Sequence, residues 1–156
     1  MKRRWKWVLG GAAVLAAASL TINPSRTNPP RVAGHDLFAT NAPPPEIAAL
    51  IRGACYDCHS AETKWPWYSR VAPMSWWLAD HVNEGRKHLN FSDWPHDDAR
   101  RAARKWSRIS EAVSSGSMPL PSYTWAHAEA RFSAEQRDRF VKWAEAEADR
   151  LRPATE

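Results

Sequence analysis

Two cysteines and a histidine stand together in Cys55-Tyr56-Asp57-Cys58-His59. So short a loop is a poor place for a stabilising disulfide, and the Cys-x-x-Cys-His spacing is that of a covalent haem attachment site. Two thiols about one helical turn apart can add to the two vinyl groups on one porphyrin edge. A histidine directly after the second thiol then lies beneath the ring, where its imidazole can reach the iron. Two other readings compete. A thioredoxin-like redox pair wants a strand before the motif and alternating strands and helices around it; neither is visible. A structural zinc site wants four ligands, the chain has two cysteines, and adjacent Cys58 and His59 would have trouble sharing one tetrahedral ion. The motif therefore implies one haem c, held by Cys55 and Cys58, with His59 as the proximal iron ligand.

A distal ligand is sought elsewhere. Met118 lies 59 residues after His59 in Ser117-Met118-Pro119-Leu120-Pro121, a proline-stiffened loop that fixes a thioether without burying it in a helix. Methionine opposite histidine is a standard haem pairing and raises the reduction potential. Met74, His81, His88 and His127 are rivals, and an open or water-bound iron is a further alternative. Trp65 and Trp67 follow the motif closely enough to contact the ring. Arg70 and Tyr123 are candidates for the propionates, since a guanidinium suits carboxylates. Most of the ten tryptophans are expected in core packing.

The elements that must position these groups are helical. A helix fits 45–54, where prolines allow a start and Ile47, Leu50, Ile51 and Ala54 share a face that ends at the motif. Pro73 opens a second, with Trp76, Trp77, Ala79 and Val82 inward, stopping near Gly85. A third fits 97–114, with Ala99, Ala102, Ala103, Trp106, Ile109 and Val113 at helical spacing, ending near Gly116. The last runs over 134–151, opened by the capping-box pair Ser133 and Gln136 and striped by Phe140, Val141, Trp143, Ala144 and Leu151. No run alternates as a strand would, so the expected fold class is all-α.

Ahead of this domain, expected over 45–152, stand two other segments. Residues 23–44 hold most of a cluster of six prolines at 24, 29, 30 and 43–45 and read as an extended linker. Residues 1–22 read as a signal anchor or a cleavable signal peptide. Lys2, Arg3, Arg4 and Lys6 precede a nearly apolar run from Trp7 to Leu20, marginal against the ~17–25 residues a spanning helix needs and adequate for an export signal. Either reading sends the domain to the outer face of a membrane, anchored or soluble in the periplasm. The net charge of +5 divides into +6 over residues 1–31 and −1 over the rest, so no nucleic-acid partner is implied. One basic run survives in the body: Arg100, Arg101, Arg104, Lys105 and Arg108. It reads as a solvated helix face or as a docking patch for an acidic redox partner.

Several stretches together resemble the bacterial haem-binding domain family, a cytochrome c-like group defined by one Cys-x-x-Cys-His. They are CYDCHS (55–60), ETKWPWYSRVAPMSWW (62–77), HVNEGRKHLNFSDW (81–94) and MPLPSY (118–123), within a resemblance that covers roughly 45–150. Ala61 stands where that pattern commonly has asparagine, which removes no ligand. The resemblance implies haem at Cys55, Cys58 and His59, with Met118 the matching distal ligand. The order of parts also looks like a mono-haem cytochrome c: helix, haem motif, intervening helices, methionine loop, closing helix. The function expected is single-electron transfer to protein redox partners at or near the membrane. No paired carboxylates or nucleophile–base arrangement suggests catalysis of its own. A haem-based sensor or gas-binding module with an open sixth site and a peroxidase-like enzyme are the alternatives.

Overall fold

The computed structural model describes residues 2–21, 24–95 and 97–152. Its elements are α1 (Lys2–Thr21), α2 (Leu37–Asn41), α3 (Pro45–Ala54), α4 (Tyr56–His59), α5 (Met74–His88), α6 (Ala99–Ser114), α7 (Pro121–Ala126) and α8 (Ala134–Leu151). Two short 3₁₀ turns, Trp67–Arg70 and Ala128–Ala130, complete them. No strand occurs among the described residues, so the fold is all-α.

The scaffold is the α6/α8 pair. Asp98 caps α6 by accepting the Arg101 amide at 2.8 Å, and Ala102, Ala103, Trp106, Ile109 and Val113 form its buried stripe. In α8 the capping box is complete: Ser133 Oγ accepts the Gln136 amide at 3.1 Å, and Gln136 Oε1 accepts the Ser133 amide at 2.8 Å. Phe140, Ala144 and Ala148 are its buried face. Aromatic rings link this pair to the Cys55–His59 segment. Tyr56 stacks on Phe91 (5.6 Å), Phe91 on Trp94 (6.0 Å), Trp94 tilts onto Trp106 (4.9 Å), and Trp106 meets Trp143 edge-on (4.8 Å). Trp94 and Trp106 are wholly enclosed, so part of the tryptophan content is core, as large rings require.

Three expectations need correction. Residues 24–44 are not a free spacer. Asp36 caps α2 by accepting the Phe38 amide, Leu37 is fully buried and donates its amide to the Phe91 carbonyl at 2.8 Å, and the His35 carbonyl accepts the Trp94 amide. Upstream, Asn28 donates to the Thr63 carbonyl and Arg31 pairs with Glu62. The chain stays out of helix over 24–32, and the segment's side chains lay it along the domain. The folded unit therefore begins near His35 rather than at 45.

Second, α5 does not stop at Gly85. It continues to His88, with the Leu89 amide on the Gly85 carbonyl at 2.9 Å. Its buried stripe is Ser75, Ala79 and Val82, while Trp76 and Trp77 are 41% and 40% exposed. A helix that approaches its neighbour closely puts small residues in the contact and sends large ones aside.

Third, α1 forms, but no helix among the described residues is long and apolar enough to cross a membrane. Basic residues take up its first turns, and Trp5, Trp7, Val8, Leu9 and Val14 lie exposed. Ile22 and Asn23, where the expected segment met the expected linker, lie outside the described residues.

Candidate functional site

Helix α3 delivers the motif. The Cys55 amide closes that helix on the Ile51 carbonyl (3.0 Å), and α4 makes one further turn with the His59 amide on the Cys55 carbonyl (2.9 Å). The two residues between the cysteines anchor the turn in opposite directions. Tyr56 is buried, and its hydroxyl donates to Asp36 Oδ2 at 3.1 Å. Asp57 accepts the Tyr123 hydroxyl at 2.8 Å on Oδ2 and the Lys64 amide at 3.1 Å on Oδ1, and its carbonyl takes the Thr63 hydroxyl. After the motif, Arg86 of α5 clasps the chain by donating to the Ser60 carbonyl (2.8 Å) and Thr63 Oγ1 (2.7 Å).

His59 is the best-held side chain of the site. Its Nδ1 lies 2.8 Å from the Gly85 carbonyl and 3.1 Å from the Leu89 carbonyl, so the proton belongs on Nδ1 and Nε2 keeps its lone pair. Burial lowers the His59 pKa, more than the two carbonyls raise it, and the charges of His88 and Lys105 lower it further. The imidazole is therefore neutral near pH 7. A metal-ligating histidine needs this arrangement: the far nitrogen held by an acceptor, the near one free.

Gly85 makes it possible. A Cβ on that residue would stand 2.7 Å from the Cys58 carbonyl oxygen, so only glycine lets α5 lie close enough to offer its carbonyl to His59. The sequence reading took this glycine for a helix stop. Its only signal was a glycine inside a helix whose pattern could have continued.

Burial also raises both thiol pKa values, to about 12 for Cys55, with Cys58 contributing, and to about 11 for Cys58, with Asp57 contributing. The thiols are not bridged to each other.

Two cavities meet at His59 and Met118, which line both. The larger, of about 560 Å³, runs from Ala54 and Cys55 past Phe91 to α6, where Arg101, Arg104, Lys105 and Arg108 form its outer wall. Burial, then the charges of Arg101 and Arg108, lower the Lys105 pKa. The other, of about 450 Å³, runs from Cys58 along Asp80, His81, Glu84 and Gly85 to Tyr123. Met118 is set in place by the end of α6: its amide donates to the Ala112 carbonyl at 3.0 Å, and Gly116 makes the turn with φ +73°.

Cys55, Cys58, His59, Met118 and Tyr123 are thus brought together. The Tyr123 hydroxyl, proposed for a propionate, is engaged by Asp57. Trp65, Trp67 and Arg70 line neither cavity; Trp67 is 79% exposed. Among the rival distal ligands, His81 and His88 share a cavity wall with His59, whereas Met74 and His127 line neither cavity and face a neighbouring apolar hollow. Among the described residues no three His, Cys, Asp or Glu side chains form a metal-binding group.

A flat ring carried on the two thiols fits this arrangement. There is space on the side of His59 that also holds Met118, the imidazole is locked in the right tautomer, and the walls are largely apolar. No curated protein and no solved structure matches the chain. The family model described as a haem-binding domain matches residues 14–146, most of the 156-residue sequence, and the chain belongs to the haem-binding domain family.

Proposed function

We propose that this haem-binding protein is a c-type, cytochrome c-like electron carrier with one covalently attached haem. Cys55 and Cys58 hold the group through thioethers, His59 is the proximal ligand and Met118 the distal one. The observation that carries the reading is the His59 imidazole. Its Nδ1 is taken by the Gly85 and Leu89 carbonyls, and its ring lines the cavities that Met118 also lines. Haem held there supplies a one-electron iron couple whose potential depends on axial ligands, burial and nearby charge.

The chain's own part is to bind, orient and insulate. Tyr56 and Asp57 fix the thiols, the two carbonyls fix the imidazole, and the Ala112 carbonyl sets the methionine loop. Phe91 and Leu89 exclude water from one wall. No acid–base pair is arranged for catalysis in this reading, and the partners are redox proteins. The basic start and apolar run of α1 support export across a membrane, to work on its outer face.

The test is an absorption spectrum of protein matured with the haem-attachment machinery, oxidised and reduced, beside a Met118→Ala variant. A covalent haem whose sulfur-to-iron band disappears in the variant is the expected result. A covalent haem indifferent to the substitution would instead mean an open sixth site, as a sensor or peroxidase-like enzyme needs. Absence of covalent haem would defeat the reading.

A further inference from the structure

We propose that the cationic face of α6, formed by Arg101, Arg104, Lys105 and Arg108, receives the two propionate carboxylates of the haem. The inference rests on the covalent-haem reading above and adds the direction in which the group lies. Attachment through the vinyl groups puts the thioether edge at Cys55 and Cys58. The propionates, on the opposite side of the porphyrin, must then enter whichever cavity leads away from the thiols and tolerates two negative charges.

The two cavities differ sharply in this respect. The one along α5 carries the carboxylates of Asp80 and Glu84 in its wall. The one that ends at α6 has no carboxylate among the side chains that line it. Its four α6 cations recur at spacings of three and four, so they share one helix face and extend ~10 Å along it at 1.5 Å per residue. That face carries charge of one sign only. Several surface cations elsewhere are paired, such as Arg139 with Glu46, Lys142 with Asp138 and Arg150 with Glu147. Arg101, Arg104, Lys105 and Arg108 form no ion pair among the described residues; Lys105 reaches the His88 carbonyl at 3.5 Å and feels the charge of Asp93, which does not line the cavity. Four like charges around one cavity repel one another; two carboxylates delivered there relieve that repulsion through charge-assisted hydrogen bonds. Arg70, the sequence's own candidate for this role, stands outside both cavities.

The experiment uses full-length, haem-loaded protein and compares R101Q/K105Q and R104Q/R108Q with R100Q, an α6 arginine that lines neither cavity. Resonance Raman spectroscopy reads the propionate bending bands, and redox titration reads the midpoint potential. The paired variants are expected to shift the bands and lower the potential, because uncompensated carboxylates disfavour the added electron. R100Q should leave both where they are, and R101K/R104K/R108K should recover the potential by retaining the charge. Circular dichroism checks that each variant folds, as expected for mostly exposed positions.

If every haem-loaded variant keeps the wild-type bands, the cationic face serves an acidic partner protein instead, and the proposal is overturned while the covalent-haem reading stands. Wild-type protein that carries no haem after denaturation would overturn both, and is recognised before any variant is made.

Discussion

Replacing Gly85 by alanine separates two accounts of α5 by the sign of the effect. At an ordinary helix position the change stabilises by ~1 kcal/mol, since glycine is the poorer helix former. Here the new Cβ would sit 2.7 Å from the Cys58 carbonyl oxygen and 3.3 Å from its carbon, where ordinary contact begins at 3.4 Å. The atoms it meets are backbone, so α5 must retreat by about 0.7 Å or α4 must deform, an overpacking that costs roughly 1–3 kcal/mol. The same retreat lengthens the 2.8 Å bond between the Gly85 carbonyl and His59 Nδ1, which forfeits ~0.5–1.5 kcal/mol.

Against the helix-propensity gain, the net expectation is a loss of about 2 kcal/mol, or roughly 5–10 °C in Tm for a domain of this size. Thermal melts of the haem-loaded chain by circular dichroism read the stability, and the position of the iron-ligand bands reads the imidazole. Gly53 provides the comparison, because its Cβ would lie 3.3 Å from the Glu129 carbonyl oxygen, a milder contact that the propensity gain offsets. A Gly85→Ala protein that melts at or above the wild-type temperature would refute the reasoning, since the close approach of α5 would then impose nothing.

Further expectations follow from the same structure. Tyr123→Phe removes the hydroxyl bonded to Asp57 at 2.8 Å and should lower stability by ~1–2 kcal/mol in urea titrations; an unchanged midpoint would deny the tie between α7 and the motif. In the haem-free chain, Cys58 with a pKa of about 11 against an ordinary 9.0 carries on the order of a hundredfold less thiolate near pH 8, so iodoacetamide should label it that much more slowly than in the urea-unfolded chain. Both thiol pKa values are raised in the folded state, so their contribution to stability is complete below pH 9.0 and is lost as the pH rises through 11 to 12. Ser133→Ala breaks the capping box of α8 and should cost ~1 kcal/mol by thermal melt, with no change in the haem spectrum.

Long amphipathic helices announce themselves, and α3, α6 and α8 lie where the spacing of their apolar residues put them. Cys55, Cys58 and His59 stand together in the sequence, and α3 and α4 keep them together at one turn of the fold. What escaped notice depends on tertiary contact. Nothing local marks Gly85 as a close-approach residue, since the atom it avoids belongs to Cys58, 27 positions earlier. On α5, Ala79 and Val82 lie inward as their spacing indicated, whereas Trp76 and Trp77 stay partly exposed and Ser75 takes the buried place beside them. Prolines correctly indicated non-helical chain at 24–32, but α2 forms within the expected linker, and Leu37 gives its burial away only once Phe91 and Trp94 are beside it. Arg70 attracted the propionate role by nearness in sequence, whereas the cations of α6 reach the cavity from more than forty residues downstream of His59.

The two residues between the cysteines are written as x in the motif, as if any pair would serve. In this chain they are addresses to different parts of the molecule: Tyr56 to Asp36 and the aromatic core, Asp57 to Tyr123 and the loop after the motif. A library that randomises both positions while keeping the cysteines and histidine should therefore not return a flat distribution. Selection for bound haem should recover an aromatic hydroxyl at 56 and a short side-chain acceptor at 57. The freedom the motif grants to chemistry has already been taken up by the fold, and a Cys-x-x-Cys-His pentapeptide borrowed from another haem protein would arrive here without its moorings.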